Sequence, residues 1–494
     1  MSRGAVVGQD DGVTRTRLLS SRLAALGLLL LAAITWAPSA ARAAGPPDIR
    51  HVWTIVLENK DYEDSFGPDT EAPYLARELT ARGKLLTNYH GTSHASLGNY
   101  LTLVSGQAVN VVTQADCAIF SDIFPGTRTP DGQTLGAGCV FPRSVRTIAD
   151  QLQERGLRWR GYMEDMGNTP GQPPTCRHPR IGAVDDTQAA RAGDQYATRH
   201  NPFVYFHSII DDPARCAEHV VPLDRLEQDI ARPQTTPNYA FITPDLCNDG
   251  HDASCVDGGL GGLPAADAFL RRWVPKILAS PGFAQHGMLI ITWDEANIDP
   301  DSSTACCGEP TGPNTLAPGL LGPGGGRTGS VVLSPFVQPG SRTDTPYNHY
   351  ALLRSVEDVF GLDHLGYAAM PGLRAFGEDV YDRTAPAPVP AGPPRCVSAR
   401  SGRVVAAARL RPSARGVLLT FRARRTARVR ITVTHRSGRR VTLRRLTRVR
   451  ACRAYQVRLP DDVVRARVVG AGRTVAVART ASAEHDEEAE GAAS

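Results

Sequence analysis

The sequence has no CxxC pair, no GxSxG pentapeptide, and no glycine-rich loop followed by Lys-Ser/Thr. The first absence argues against a structural zinc site. The second excludes a strand–turn–helix nucleophile elbow. The third excludes a phosphate-cradling loop, so Gly322 to Gly326 (GPGGG) reads as a flexible rim loop. Long hydrophobic runs are also missing: the stretch from Leu23 to Ile34 is too short to span a bilayer. Aromatic residues make up only 6% of the chain, yet 41% is hydrophobic and 21% charged over 494 residues. That composition excludes a channel, a collagen-like rod and a disordered chain, and its length exceeds one ordinary core. Regions poor in one charge sign matter more than the net charge of +5. Residues 396–480 hold 23 Arg, no Lys, and only Asp461 and Asp462 as acids. The rest of the chain is therefore acidic overall, and the two parts need different partners.

What is present begins with an export pattern. Arg15, Arg17 and Arg22 precede the apolar run, and Ala41-Arg42-Ala43 gives a small-x-small cleavage signature. Thr16 separates Arg15 from Arg17, so no twin-arginine signal is formed. Residues 1–43 are expected to be a signal peptide, leaving no stable membrane span after cleavage and a secreted, extracellular or cell-wall-associated product. All ten cysteines lie beyond this segment, and an even count in an exported chain implies disulfides. Neighbour pairing suggests 117–139, 176–216, 247–255 and 396–452; adjacent Cys306 and Cys307 fit that scheme badly.

Between residues 44 and 383, strand and helix patterns alternate. HVWTIVL (51–57), residues 84–89, LRWRGYM (157–163), YAFIT (239–243), MLIITW (288–293) and residues 331–337 read as strands. Residues 72–82, 146–155, 265–278 and 351–360 read as helices, the third despite Pro275. Such alternation predicts an α/β domain with a mostly parallel sheet flanked by helices. Its chemistry belongs at the carboxyl ends of the strands. A Pro-rich linker (384–395) leads to an Arg-rich module (396–482) with alternating strands and a turn at Ser437-Gly438. The module is expected to be a small all-β, sandwich-like unit with Arg on its solvent face. Residues 483–494 form an acidic tail expected to stay disordered.

Three strand ends carry oxygen ligands. Glu58-Asn59 follow HVWTIVL, Asp294-Glu295 follow MLIITW, and Asp245, Asp249, His251 and Asp252 crowd the loop after YAFIT. Taken singly, each is as consistent with a helix cap; converging on one face, they are what a hard divalent cation requires. Ser96, entering a helix in SHASLGNYLTLVSG (93–106), is either a cap or a hydroxyl facing a phosphate held by helix N–H groups.

The motifs IVLENKDY, SHASLGNYLTLVSG, ITPDLCNDGHD, ITWDEAN and YNHYALLRSVEDVFGL occur in an order that resembles the bacterial phosphoesterase family. That family holds acid phosphatases and phospholipase C-type enzymes with an alkaline phosphatase-like fold. The resemblance spans roughly residues 50–375 and does not reach the Arg-rich module. It implies a divalent metal held by Glu58, Asn59, Asp294 and Glu295, with Ser96 as a metal-contacting nucleophile. Asn99 is implied as a holder of a phosphoryl oxygen, and Gly98 departs from the expected proline. Asp249, His251 and His349 match stretches that supply either a second metal site or the histidine that protonates the leaving group. The implied reaction is a two-step displacement through a phosphoserine, most simply on a phosphomonoester, with a phospholipase C-type diesterase as the alternative. The CxPxR or SxPxR pattern of a sulfatase is absent.

Other residues have weaker claims. His90, His94 and His200 suit a site or a structural role equally. Glu164-Asp165 reads as a solvated turn, and Cys247 as disulfide-bonded. A non-enzymatic alternative remains: an anionic cell-wall polymer or lipid headgroup bound at the Arg-rich module, on a scaffold without activity.

Overall fold

In the computed structural model, residues 45–383 are described, together with most of 405–478; breaks fall at 414–415, 424–425, 444–447, 451–453 and 471–472. The expected signal peptide, Pro-rich linker, Cys396–Cys452 pair and acidic tail lie outside the described residues. These residues fall into two compact units, one on each side of the linker.

The first unit is built on eight strands: β1 (His51–Leu57), β2 (Lys84–Leu86), β3 (Trp159–Met163), β4 (Val220–Pro222), β5 (Tyr239–Thr243), β6 (Gly287–Trp293), β7 (Ser330–Leu333) and β8 (Ser341–Thr343). Their order across the sheet is β8-β2-β7-β6-β1-β5-β3-β4, and β7 alone runs against the others. β4 and β8 are three residues each, too short for a periodic signal in the sequence. The expected strand 84–89 splits: after Leu86 the chain turns, and Tyr89–His90 pairs separately with Tyr347–Asn348.

Central β1 shows why both faces must be covered. Val52 and Val56 pack with Phe241 and Ile290 on one face; Trp53, Ile55 and Leu57 pack with Ile242 and Ile291 on the other. Every second residue thus serves a different core. The first face is closed by helices α1 (Ser96–Ser105), α2 (Ile148–Glu154) and α4 (His349–Phe360), the second by α3 (Gly262–Leu278). Thr147 and Asp150 close a reciprocal capping box on α2. Pro275 lies inside α3, three residues before its end at Leu278, and the helix continues past it. The expected helix 72–82 is reduced to a π-type turn, Tyr74–Leu79, where Thr80 N–H donates to the Leu75 carbonyl.

Cys117–Cys139, Cys176–Cys216 and Cys247–Cys255 are bonded as expected. Cys306 and Cys307, which nearest-neighbour logic left over, are bonded to each other.

The second unit holds two antiparallel sheets. β9 (Val405–Ser413), β10 (Gly416–Ala423) and β14 (Ala454–Leu459) form one; β11 (Ala427–His435), β12 (Arg440–Leu443), β13 (Arg448–Val449), β15 (Val463–Gly470) and β16 (Arg473–Ala478) form the other. Leu419 and Phe421 of the first sheet share a core with Ile431, Val433 and Val468 of the second. Along β11, buried Val429, Ile431 and Val433 alternate with exposed or half-buried Arg428, Arg430 and Thr432.

Candidate active site

Strand order places the site. β6, β1 and β5 are adjacent and parallel, with Leu57 opposite Trp293 and Ile55 opposite Ile242. Their next residues therefore emerge side by side, about one strand spacing (~4.8 Å) apart. Glu58 follows β1, Asp294 and Glu295 follow β6, and Asp249 lies in the loop after β5, with its backbone carbonyl accepting from Glu58 N–H at 2.9 Å. All four carboxylates are buried, none more than 1% exposed.

Ser96 is the first residue of α1 and points its hydroxyl into this group, donating to Glu58 Oε2 at 2.8 Å. Glu58 Oε1 accepts from the Tyr100 hydroxyl at 2.7 Å, one helical turn on, so β1 and α1 are joined by both oxygens of one acid. Asn59 sits at φ +50° and donates its N–H to Asp294 Oδ1 at 3.0 Å, which also accepts from Glu295 N–H at 2.7 Å. Gly98 is compelled by contact: a Cβ there would lie 2.1 Å from Val109 Cγ1 and 2.6 Å from Ser93 Oγ.

The cluster is unbalanced. Asn59 Oδ1, Asp294 Oδ2 and Asp249 Oδ2 are buried without a hydrogen-bond partner. Burial, then the Glu58 charge, pushes Asp249 and Asp294 well above the usual carboxylate range; burial and the Asp294 charge do the same to Glu295. Glu58 is raised by burial, against the pull of Tyr100. Orphaned oxygens among crowded acids are the donor set of a hard cation. Among the described residues, the only group of three or more His, Cys, Asp or Glu with ligand atoms all within 4.8 Å is Cys247, Cys255 and Asp257, and its two sulfurs are disulfide-bonded. The acids of the cluster are spread more widely, as mutual repulsion dictates.

Two residues expected in the chemistry stand behind it instead. The Asn99 amide is wholly buried and engaged: its Oδ1 accepts from Thr92 and Ser93 N–H at 2.9 and 3.0 Å, and its Nδ2 donates to the Ser93 carbonyl at 2.8 Å. It clasps the loop that presents Ser96, with its second amide hydrogen directed to the Ala95 carbonyl at 3.4 Å. His349 is also fully buried, with Nδ1 on the Tyr89 hydroxyl at 2.8 Å and Nε2 on the Asp294 carbonyl; burial lowers it to about 4. A proton donor needs an open nitrogen, so His349 positions Asp294. His251 differs: its side chain is 47% exposed, and a hydrogen bond to Asp252 raises its affinity for a proton.

The structure adds residues that sequence reading left undecided or unmentioned. His94 Nδ1 pairs with Glu295 Oε2, and its Nε2 is buried without a partner. His200 stacks on Tyr100 and lies 3.1 Å from Glu58 Oε1 and 3.6 Å from Asp249 Oδ2. Arg199 places a buried guanidinium 3.8 Å from Asp116, which accepts from Leu97 N–H at 2.9 Å. No spacing rule flagged Arg199 or Asp116, because both reach the site from segments without periodicity. The GPGGG segment is no flexible rim: Gly324 to Gly326 are buried, Gly325 N–H donates to the Gly91 carbonyl, and a Cβ on Gly325 would lie 2.3 Å from the Ser93 carbonyl. It straps down the loop that carries Ser96. Glu164 is likewise no solvated turn: its Oε2 accepts from Asn248 Nδ2 at 3.1 Å beside Asp245.

Comparison with known proteins agrees in direction. Residues 66–363 match the profile of the Phosphoesterase family. An acid phosphatase of Aspergillus fumigatus is 26% identical over 315 residues, covering 64% of this chain and 55% of that protein. A probable acid phosphatase of Kluyveromyces lactis is 27% identical over 317 residues, covering 64% and 59%. A phosphatidylinositol-3-phosphatase of Mycobacterium tuberculosis is 24% identical over 326 residues, covering 66% and 82%. The chain thus spans little more than half the length of the two fungal relatives, and the resemblance is not confined to bacteria. A solved structure from Vibrio parahaemolyticus, of the alkaline phosphatase superfamily, aligns over 84% of this chain and 83% of its own, with 10% identity and a TM-score of 0.39.

Two outcomes follow from the geometry. Gly98→Ala should overpack the helix start and lower stability by roughly 1–3 kcal/mol, read as a fall in chemical-denaturation midpoint. The second concerns Glu164 and Asp245. Burial and the Asp245 charge raise Glu164 to about 7, and burial raises Asp245 to about 6. Both keep a proton in the folded chain that the unfolded chain releases near 4.5 and 3.8. Their contribution is therefore complete below those values and is lost as pH rises through about 6 to about 7. The thermal midpoint should fall between about pH 5 and about pH 8, and Glu164→Gln should flatten that fall.

Proposed function

The chain belongs to the Phosphoesterase family, and from that premise we propose that it hydrolyses phosphoric monoesters through Ser96, as a secreted acid phosphatase-like enzyme. The observation that carries this reading is the Ser96 hydroxyl, at the start of a helix, donating to Glu58 inside a cluster of buried, partly unpartnered acids. A helix cap needs no such surroundings.

Glu58, Asn59, Asp294 and Ser96 would hold a divalent cation, with Asp249 and His200 beside them and Glu295 anchored on His94. When bound, the cation lowers the pKa of a hydroxyl and neutralises phosphoryl charge. Ser96 attacks phosphorus in line, forming a P–O bond as the ester oxygen departs with the electron pair of the broken bond. Glu58, already hydrogen-bonded to Ser96, orients the hydroxyl, takes its proton as the P–O bond forms and returns it to Ser96 when the phosphoserine is cleaved. His251, half-exposed at the mouth and inclined to hold a proton, supplies it to the departing alcohol. Water then cleaves the phosphoserine, with His251 taking back the proton, and inorganic phosphate leaves. Asn99 and the glycine strap keep the serine loop fixed while charge moves. The acids' shared preference for protons implies that, at higher pH, the apo site gives up protons against mutual repulsion.

The phospholipase C-type alternative keeps this chemistry and changes only the ester. The basic unit supports a separate binding reading: register sets Arg440 and Arg465 on either side of Thr434, Arg467 opposite Thr432 and Arg448 opposite Arg428, all exposed on one sheet face. Like charges brought together across strands suit a polymer with repeated phosphates more than they suit folding.

Ser96→Ala should abolish metal-dependent turnover of p-nitrophenyl phosphate, and Glu58→Gln or Asp294→Asn should lower kcat by about 100-fold or more, with chelator reproducing the loss. Unchanged turnover in Ser96→Ala would overturn the mechanism. His251→Asn should slow alkyl phosphates far more than p-nitrophenyl phosphate, whose leaving group needs no proton. For the basic unit, polyphosphate binding by the full chain should weaken with salt, and Arg465→Glu with Arg467→Glu should flatten that salt dependence.

A further inference from the structure

Two arginines are buried in the first unit within reach of the site's surroundings, and they are held in opposite ways. Arg177 is forked onto Asp194, with Nη1–Oδ1 at 2.7 Å and Nη2–Oδ2 at 2.8 Å, a closed pair that needs nothing further. Arg199 is 9% exposed, and its guanidinium makes one hydrogen bond among the described residues, from Nη1 to the Gln188 carbonyl at 2.9 Å. Its nearest carboxylate, Asp116, is 3.8 Å from Nε, beyond hydrogen-bond distance. A guanidinium has five N–H donors in a rigid fork, and those that Arg199 leaves unused are not sealed from solvent, so they stand open to a ligand.

The same contacts fix where that fork stands. Asp116 Oδ1 holds the N–H of Leu97, the residue after the nucleophile, while its Oδ2 faces Arg199. Gln188 holds the Asp116 carbonyl through Nε2 at 2.9 Å and Arg199 through its own carbonyl. Leu97, the residue after Ser96, and the guanidinium are thus tied to one carboxylate, and the next residue along, His200, lies 3.1 Å from Glu58 Oε1 and 3.6 Å from Asp249 Oδ2.

Resting on the phosphoesterase reading above, we propose that Arg199 grips the phosphoryl group and makes this site selective for phosphomonoesters over diesters. A monoester brings two negative charges to a site already crowded with acids; a diester brings one. The second charge needs its own fixed cation, and a planar fork takes two oxygens of one phosphoryl group at once. A diester keeps only two non-bridging oxygens, so one taken by the cation would leave a single oxygen for the fork, where a monoester would still offer two.

The test compares Arg199→Gln and Arg199→Lys with the unaltered full chain, loaded with divalent metal, on p-nitrophenyl phosphate and on bis(p-nitrophenyl) phosphate. Arg199→Gln should lower kcat/KM for the monoester by roughly 100-fold and leave the diester far less affected; Arg199→Lys, a point charge without the fork, should recover only part. Equal losses on both esters, or none, would overturn the proposal. Calorimetric binding of inorganic phosphate to Ser96→Ala, with and without Arg199→Gln, reads the grip without turnover: affinity should drop with Arg199→Gln, and unchanged affinity counts against it. If the unaltered chain turns over neither ester, the phosphoesterase reading fails, while the phosphate-binding comparison still decides the role of Arg199. If Arg199→Gln does not fold, as a lost thermal transition would show, the same comparison made with Arg199→Lys decides it.

Discussion

Four carboxylates are held out of water at the ends of three adjacent parallel strands, and much of the first unit is arranged around the cost of that crowding. Two like charges about 4 Å apart repel by about 4 kcal/mol at an effective dielectric of about 20. Parallel pairing forces the proximity: once β6, β1 and β5 are in register, Glu58 and Asp294 emerge side by side. The fold offsets the repulsion locally. Asp294 accepts two backbone N–H bonds, Glu58 accepts two hydroxyls, and Glu295 faces His94. Those contacts leave Asp294 Oδ2 and Asp249 Oδ2 buried without hydrogen-bond partners.

The surrounding structure is correspondingly stiff. Ser96 owes its position to a loop fixed from three sides: the Asn99 amide below, the Pro318 carbonyl accepting from His94 N–H, and Gly325 lying against Gly91 and Ser93. Glycines in this region serve close backbone approach, since a Cβ on Gly91 would lie 2.7 Å from the Asp294 carbonyl. In the proposed reaction, where Ser96 must meet phosphorus in line, such fixing matters because a small displacement of the hydroxyl is felt directly in rate.

How much of this was legible in the sequence depends on whether a feature is periodic. β1, β5 and β6 are continuous apolar runs, so the strands, and the acids directly after them, could be read without coordinates. Three disulfides followed from neighbour spacing. β4 and β8 escaped because three residues carry no period, and the π-type turn at Tyr74–Leu79 because its composition suits an ordinary helix. Within the site, motif position found Asn99 and His349, and the fold shows their polar atoms already engaged by neighbouring groups. A motif gives a residue's place along the chain; whether its polar atoms are open or already bonded is a tertiary fact. Arg199 and His200 show the converse, since adjacent residues in an irregular segment, 3₁₀ at Thr198–His200, reach the acids only through the fold.

That distinction bears on how function is assigned along such a chain. Family motifs identify the reacting groups because chemistry fixes their types, and relatives at 24–27% identity can share those types while differing in every wall of the cleft. The choice of ester is made by groups that chemistry does not fix: a cation able to meet a second phosphoryl charge, or an apolar surface able to meet a lipid. Here the cleft contributes a buried guanidinium with an unfilled fork. The basic sheet face belongs to the second unit, and on the proposed reading its Arg residues hold a polyanion. On that reading, catalysis and attachment are carried by different residues, and each can be altered while the other is left intact.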